Sequence, residues 1–134
     1  MIATTNQLKT LKFWLPGRVV PKARPLFHDG NISLPRNYRA WKNAAYLEII
    51  RQLGELSHTA LPIKKASVEV HLLGQLKGDA DNIVGSYLDL LVMANILCDD
   101  RLTCVPDVSL KSTAGKSIGA NIYYYPFGLN PELT

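Results

Sequence analysis

The chain has 134 residues, of which 47% are hydrophobic and 19% charged, and its formal net charge is +4. This length supports a single hydrophobic core, so we expect one domain over residues 1–134. No apolar run approaches the roughly 20 residues that cross a bilayer. Residues 1–12 are polar and lack the apolar centre of a secretory signal. We therefore expect a cytoplasmic protein with no membrane partner.

Two strands and a long helix are predicted in the first half of the chain. Residues 12–20 form the first strand, which a Pro-Gly pair interrupts. Two prolines keep residues 21–27 extended, residues 28–31 have the composition of a turn, and residues 32–34 form a short returning strand. Apolar residues then recur at steps of three and four over residues 35–56, which predicts an amphipathic helix.

The second half of the chain contains three strands and one helix. Residues 66–72 alternate between apolar and polar, as in a half-buried strand. A helix is predicted at residues 82–95, with Asp81 as its N-cap. Strands follow at residues 105–111 and 118–124. The predicted fold class is α/β (α+β): a single compact domain with a mixed sheet of about five strands and two main helices.

Charge is segregated along the chain. Through residue 42 there are eight Lys or Arg against one acid, a local charge of +7. Residues 79–107 contain six acids against Arg101 alone, a local charge of −5. This segregation is consistent with a phosphate-contacting N-terminal part and a metal-holding central part. The alternative is that the basic pI near 9.1 only keeps the protein soluble.

Five aspartates lie between positions 79 and 100, namely Asp79, Asp81, Asp89, Asp99 and Asp100. Carboxylates gathered in one place repel each other, so such a cluster favours a bound cation. Asp79 and Asp81 are expected at a strand-to-helix transition. Asp99 and Asp100 are expected to begin the next strand, which returns beside Asp79 if it pairs with the preceding strand. Hard cations such as Mg²⁺ prefer oxygen ligands of this kind.

Each of these residues also has an ordinary structural interpretation. Asp81 can serve only as a helix cap, and Asp99 and Asp100 can form a solvated turn. Asp89 is interpreted as solvent-facing or as tying its helix to a neighbouring element.

The two cysteines, Cys98 and Cys104, are separated by six positions. With no CxxC unit and no histidine pair, they make a poor zinc site. We interpret both as reduced, small apolar residues, the second of them starting a strand.

The order of motifs resembles that of the RusA-type Holliday junction resolvases. That family carries D-x-D-N-L, then D-x-L, then an apolar pair followed by x-D-D, and this chain has similar residues at 79–83, 89–91 and 96–100. The segment Pro21-Lys22-x-Arg24-Pro25 is similar to the family's opening P-K-x-R-P. Lys111 occupies the place of a lysine often found after the acidic pair. The resemblance covers residues 13–125.

The resemblance implies a homodimeric endonuclease that binds four-way DNA junctions and cuts two strands symmetrically with Mg²⁺ or Mn²⁺. Carried over by position, the metal-binding catalytic residues are Asp79, Asp81 and Asp100, and Lys111 is a further catalytic candidate. The residues expected to contact nucleic acid are Lys22, Arg24, Lys77 and Lys111.

One position departs from the family pattern. A lysine usually follows the second aspartate by four residues, where it can stabilise the transition-state phosphate, and this chain has Gly85 there. One hypothesis is that Lys111, Lys22 or Lys77 substitutes from another element. An alternative function is a catalytically impaired junction-binding protein of the same fold. A third is a structural or interaction protein whose acidic cluster is only surface.

Overall fold

A four-stranded mixed sheet with strand order β1-β6-β4-β5 forms the centre of the fold. The computed structural model describes residues 10–22, 26–28, 30–33, 35–55 and 64–127. In the sheet, β6 pairs antiparallel with β1 and β4, whereas β4 and β5 are parallel. A separate antiparallel pair is formed by β2 and β3. The strands are β1 (Leu11–Pro16), β2 (Leu26–His28), β3 (Asn31–Ser33), β4 (Ala66–Leu73), β5 (Asp107–Thr113) and β6 (Gly119–Pro126).

Two helices cover one face of this sheet, α1 (Arg36–Glu55) and α2 (Ala80–Met93). The alternation of the strands directs every second side chain to this face, where Phe13, Val70 and Ile122 are fully buried. Ile49 of α1 and Leu90 of α2 belong to the same hydrophobic core. Neither helix in the described part of the chain is long and apolar enough to cross a membrane.

Helix α2 connects the parallel strands β4 and β5. A parallel pair requires such a crossover because the chain must return to the end at which the first strand began. The carboxyl ends of β4 and β5 therefore lie at one edge of the sheet, next to the start of α2. The amino ends of both strands lie at the opposite edge, next to the end of α2. This arrangement determines where the candidate site residues lie.

The predicted class, a single α+β domain with a mixed sheet and two helices, is confirmed. The number of strands differs from the expected five, because the described residues contain four strands in the mixed sheet and two in the small hairpin. Several boundaries also differ. Strand β1 ends at Pro16, four residues earlier than expected, where Gly17 follows with a φ of +91°. Helix α2 starts two residues earlier than expected. Strand β5 starts at Asp107 rather than Val105, because the amides of Cys104 and Val105 both bond to Arg101 O in a helical turn.

Candidate metal centre

Asp79 and Asp81 lie at the N-terminal end of α2, beside the carboxyl ends of β4 and β5. The chain turns into the helix through Gly78, whose φ of +121° favours glycine. A Cβ at this position would lie 2.9 Å from the Ile83 side chain. The turn makes Asp79 the N-cap, so the prediction of Asp81 as the cap is wrong; Asp81 lies in the first turn. Both carboxylates are exposed, and the positive end of the helix dipole stabilises negative charge there.

Asp99 and Asp100 lie near the opposite edge of the sheet. They follow α2 in the loop that precedes β5, so the prediction that they begin a strand is wrong. The loop is held at the amino end of β4, where Ala66 N donates to Cys104 O at 2.9 Å. The strand after them does pair with β4, as expected, but the pairing is parallel. Parallel pairing returns the chain to the start of β4 and not to Asp79.

Asp79 and Asp81 are at the start of the 14-residue helix α2, whereas Asp99 and Asp100 follow its last residue, Met93, by six and seven positions. At 1.5 Å per residue, a helix of this length spans about 21 Å. Among the described residues, no group of three or more His, Cys, Asp or Glu side chains is placed to hold a metal ion. A single chain thus presents Asp79 with Asp81 at one end of α2, and Asp100 at the other. The assignment of these three aspartates as metal ligands stays a prediction.

Asp89 ties its helix to neighbouring elements, which is one of the two structural roles expected for it. Its carboxylate accepts a hydrogen bond from the Tyr38 hydroxyl at 2.8 Å and forms an ion pair with Lys22 Nζ at 3.2 Å. Burial, followed by the hydrogen bond to Asp89 and its negative charge, raises the pKa of Tyr38 well above its usual value. Asp89 therefore ties α2 to α1 and to the segment that contains Lys22.

The same carboxylate lines a surface depression of about 280 Å³ together with Lys42, Asp99 and Asp100. Two apolar residues of α2 complete the wall. The depression brings together three of the five clustered aspartates, although no metal-binding group is formed among the described side chains. Within the loop, Asp100 N donates to Asp99 Oδ1 at 2.7 Å, and Arg101 Nε lies 3.2 Å from Asp99 Oδ2.

Gly85 leaves space that Lys22 occupies. A Cβ at position 85 would lie 3.3 Å from Lys22 Cδ and 3.7 Å from its Cβ. The backbone around Lys22 is fixed to the same helix, because Lys22 N donates to Asn82 O at 3.1 Å and Ser86 Oγ donates to Val20 O at 2.8 Å. The lysine thus crosses α2 at the glycine. Its amine extends toward Asp89, one turn further along the helix.

The remaining basic candidates lie in different places. Lys77 is exposed in the turn two residues before Asp79. Lys111 is exposed on β5, opposite His71 of β4 and two residues before the carboxyl end of its strand. Arg24 lies outside the described residues. Lys77 is therefore close in sequence to Asp79 and Asp81, whereas Lys111 projects from the sheet face opposite the helices, because Val108 and Leu110, which alternate with it, pack against the core.

Sequence reasoning missed the partners that hold this region together. Tyr38 was seen only as part of a helix, although its buried hydroxyl binds Asp89. On the sheet face opposite the helices, Lys12 Nζ lies 5.4 Å from the centre of the Tyr123 ring, and the centre of the His71 ring lies 4.9 Å from it with the two rings tilted by 53°. Pairing of β1 with β6 puts Lys12 directly opposite Tyr123. Nothing in the sequence indicated that they are neighbours.

No protein-family model matches this chain, and no curated protein matches it significantly. The candidate site is therefore interpreted from its own residues and from the motif resemblance.

Proposed function

We propose that this protein is a metal-dependent, structure-selective DNA endonuclease of the RusA type, acting in the cytoplasm as a homodimer. It would resolve four-way (Holliday) junctions by hydrolysing a phosphodiester in each of two strands. The observation that carries the proposal is the exposed pair Asp79 and Asp81 at the start of α2, with exposed Lys77 two residues before Asp79. An acidic pair with a neighbouring lysine is suited to a divalent cation that contacts a phosphate.

The donor set suits Mg²⁺ or Mn²⁺. Magnesium keeps several of its waters and commonly uses only one or two protein carboxylates, which Asp79 and Asp81 supply. Such an ion would lower the pKa of a bound water and neutralise charge on the scissile phosphate. The chain's own contribution is to hold the two carboxylates at a helix start whose backbone is constrained by Gly78.

Asp100 requires a second copy of the chain in this proposal. It lines the depression beside Asp89 in the second half of α2, and no group of metal ligands among the described residues brings it together with Asp79 and Asp81 of its own chain. In a two-fold dimer whose α2 helices run antiparallel, the end of one helix lies beside the start of the other. Each active site would then combine Asp79 and Asp81 of one copy with Asp100 of the second, so neither copy is complete alone.

DNA binding is assigned to the basic residues that the resemblance implies. Lys22, Lys77 and Lys111 are at least partly exposed, and Lys22 keeps 42% of its side chain accessible although it is paired with Asp89. Arg24 belongs to the same basic segment by sequence. Lysine and arginine contacts to phosphates release counterions, so binding should weaken steeply as salt is raised.

A second candidate, a junction-binding protein with impaired catalysis, is favoured by the position of Lys22. Its side chain fills the space over Gly85, but its amine is paired with Asp89. A lysine held in that ion pair would reach a phosphate only by leaving Asp89. If it does not leave, the protein binds junctions and turns over slowly.

The decisive test uses a synthetic four-way junction with Mg²⁺, Mn²⁺ or EDTA. We expect paired incisions with either metal and none in EDTA. Asp81→Asn should reduce the cleavage rate by at least about a hundredfold, because a metal ligand is lost, while gel retardation stays intact. Asp99→Asn is the matched control for Asp100→Asn, since both change one carboxylate in the same loop. Salt-sensitive binding without cleavage would favour the impaired alternative, and absence of both would remove the nuclease proposal.

Mixed dimers test the sharing of Asp100. A heterodimer of Asp81→Asn and Asp100→Asn chains, purified through two different tags, contains one fully substituted site and one intact site if the ligands come from different copies. It should nick one strand of the junction, while both homodimeric variants stay inactive. If each site is built from one chain, both sites of the heterodimer are defective, and no nicking will be seen.

Alanine substitutions of individual lysines test which of them takes the role of the lysine that Gly85 replaces in the family pattern. We expect Lys111→Ala to abolish cleavage if Lys111 supplies this function, and Lys22→Ala to do so if Lys22 does. Gly85→Lys should then cleave no faster than the wild type. Equal activity in the Lys22, Lys77 and Lys111 alanine variants would eliminate the substitution hypothesis.

A further inference from the structure

The loop between α2 and β5 contains two cysteines. Cys98 and Cys104 are both free thiols; Cys98 is exposed and Cys104 is partly exposed. Five residues lie between them, and these include Asp99 and Asp100. Nothing in the proposed nuclease chemistry uses either sulfur.

The fold holds both cysteines against the start of β4. Cys98 Sγ lies 4.0 Å from Lys64 O, and Cys104 O accepts a hydrogen bond from Ala66 N at 2.9 Å. Their two contacts on the β4 side are therefore only two residues apart. A helical turn closes the loop, because Cys104 N bonds to Arg101 O at 2.9 Å. The two thiols are close enough to interact, and this interaction, followed by burial, raises the pKa of Cys104.

We propose that Cys98 and Cys104 form a reversible intramolecular disulfide, and that the loop between α2 and β5 is a redox-sensitive element. Two thiols in contact at the surface need little movement to be joined, whereas cysteines held apart by a rigid fold cannot be. The oxidant is a low-molecular-mass disulfide such as oxidised glutathione. One of the two cysteines, Cys98, is exposed to it.

The reaction is a thiol–disulfide exchange in two steps. The Cys98 sulfur attacks the small disulfide, loses its proton to solvent, and forms a mixed disulfide while one small thiol leaves. The Cys104 sulfur then attacks Cys98 Sγ, also losing its proton, and the second small thiol leaves. Two electrons pass from the protein to the small disulfide. The products are one protein disulfide and two small thiols.

Closing this bond would confine the loop that contains Asp99 and Asp100. Both line the depression beside Asp89 and Lys42, so oxidation would change the arrangement of carboxylates there. An effect on junction cleavage rests on the proposed function. The disulfide itself does not, because it follows from the contact between the two sulfurs.

The test measures disulfide formation in the whole protein equilibrated with mixtures of reduced and oxidised glutathione. In the wild type we expect both thiols to be lost together, with a cross-link between the peptides containing Cys98 and Cys104 that dithiothreitol reverses. Cys104→Ser should accumulate the glutathione adduct on Cys98 because the resolving thiol is absent. A stable adduct on the wild type, or cross-linking between chains, would overturn the proposal.

Unfolding distinguishes a contact made by the fold from proximity along the sequence. The equilibrium constant for the internal disulfide should be at least about tenfold larger in the native protein than in urea, because the fold raises the effective concentration of one thiol at the other. An equal or smaller constant in the native state would refute the claim.

Junction cleavage is measured separately on the reduced and oxidised wild type and on the Cys98→Ser/Cys104→Ser double variant, which can form neither the disulfide nor the glutathione adduct. We expect oxidation to slow only the wild type. If the disulfide forms and the reduced protein does not cleave, the nuclease proposal fails and the redox pair stands. If the disulfide does not form, the redox proposal fails whatever the cleavage result.

Discussion

The substitution Asp89→Ala tests whether one carboxylate joins three elements of the fold. Asp89 is on α2, Tyr38 is on α1, and Lys22 precedes the β2–β3 hairpin. Tyr38 is fully buried, and its hydroxyl donates to Asp89 at 2.8 Å. Removing the carboxylate leaves this hydroxyl without its charged acceptor.

The expected loss of stability is the sum of two unequal contributions. A hydrogen bond to a charged group contributes about 1.5–3 kcal/mol, and a buried donor without a partner costs a similar amount. The ion pair with Lys22 adds only about 0–1 kcal/mol, since the Lys22 side chain is 42% exposed and that of Asp89 20%. We therefore expect Asp89→Ala to lower the free energy of unfolding by about 1.5–4 kcal/mol. Asp89→Asn keeps an acceptor for Tyr38 and should cost about 1 kcal/mol.

Urea denaturation at neutral pH measures this effect. With a slope of about 2 kcal/mol per molar urea, the midpoint for Asp89→Ala should fall by roughly 1–2 M. Tyr38→Phe should cost about 1–2 kcal/mol, because the partly exposed Asp89 can be rehydrated. The double variant should lose less than the sum of the two single losses, by about 1–2 kcal/mol.

Two results would refute this reasoning. The first is a loss below about 0.5 kcal/mol for Asp89→Ala, which is the range of ordinary surface substitutions. The second is strict additivity with Tyr38→Phe, which would mean that the hydrogen bond contributes nothing. Asp100→Ala is the control, since it removes an exposed carboxylate from the same depression and should change the midpoint little.

Three further predictions concern the helices. Gln52→Leu should lower the free energy of unfolding by about 1–3 kcal/mol in urea titrations, because the Gln52 amide bonds both Trp14 N and Trp14 O at the sheet edge; an unchanged midpoint would contradict this. Hydrogen bonds from Arg51 and then Gln52 lower the pKa of Glu48 from 4.5 to about 2. The ionised Glu48 therefore stabilises the folded state above pH 4.5, and this contribution is lost as the pH falls toward 2. Arg51→Met should raise the Glu48 pKa in an NMR titration, and an unshifted value would exclude the ion pair. Gly85→Ala should stabilise α2 by about 1 kcal/mol through its higher helix propensity, less the cost of moving Lys22, whose Cδ would lie 3.3 Å from the new Cβ. Thermal unfolding would show net destabilisation if Lys22 cannot move.

Local pattern was enough to predict most elements of the fold. The steps of three and four apolar residues in α1 and the alternation in β4 reflect the geometric periods of a helix and a strand. Both elements were predicted within a residue or two of their observed bounds. The predicted start of α2 was two residues too late because Asp79 and Asp81 are the same residue type and are equally suitable as N-caps. The left-handed turn at Gly78 decided between them.

Residue types and spacing by themselves determined the class of the fold, the segregation of charge and the aspartates on which the proposed chemistry depends. The tertiary structure alone decided which of them are neighbours. Parallel pairing of β4 with β5 sends Asp100 to the opposite end of α2 from Asp81, and the packing of residues 20–22 on α2 brings Lys22 to Asp89. Strand direction and side-chain partners depend on contacts between residues far apart in the chain. Local periodicity has no means to encode them.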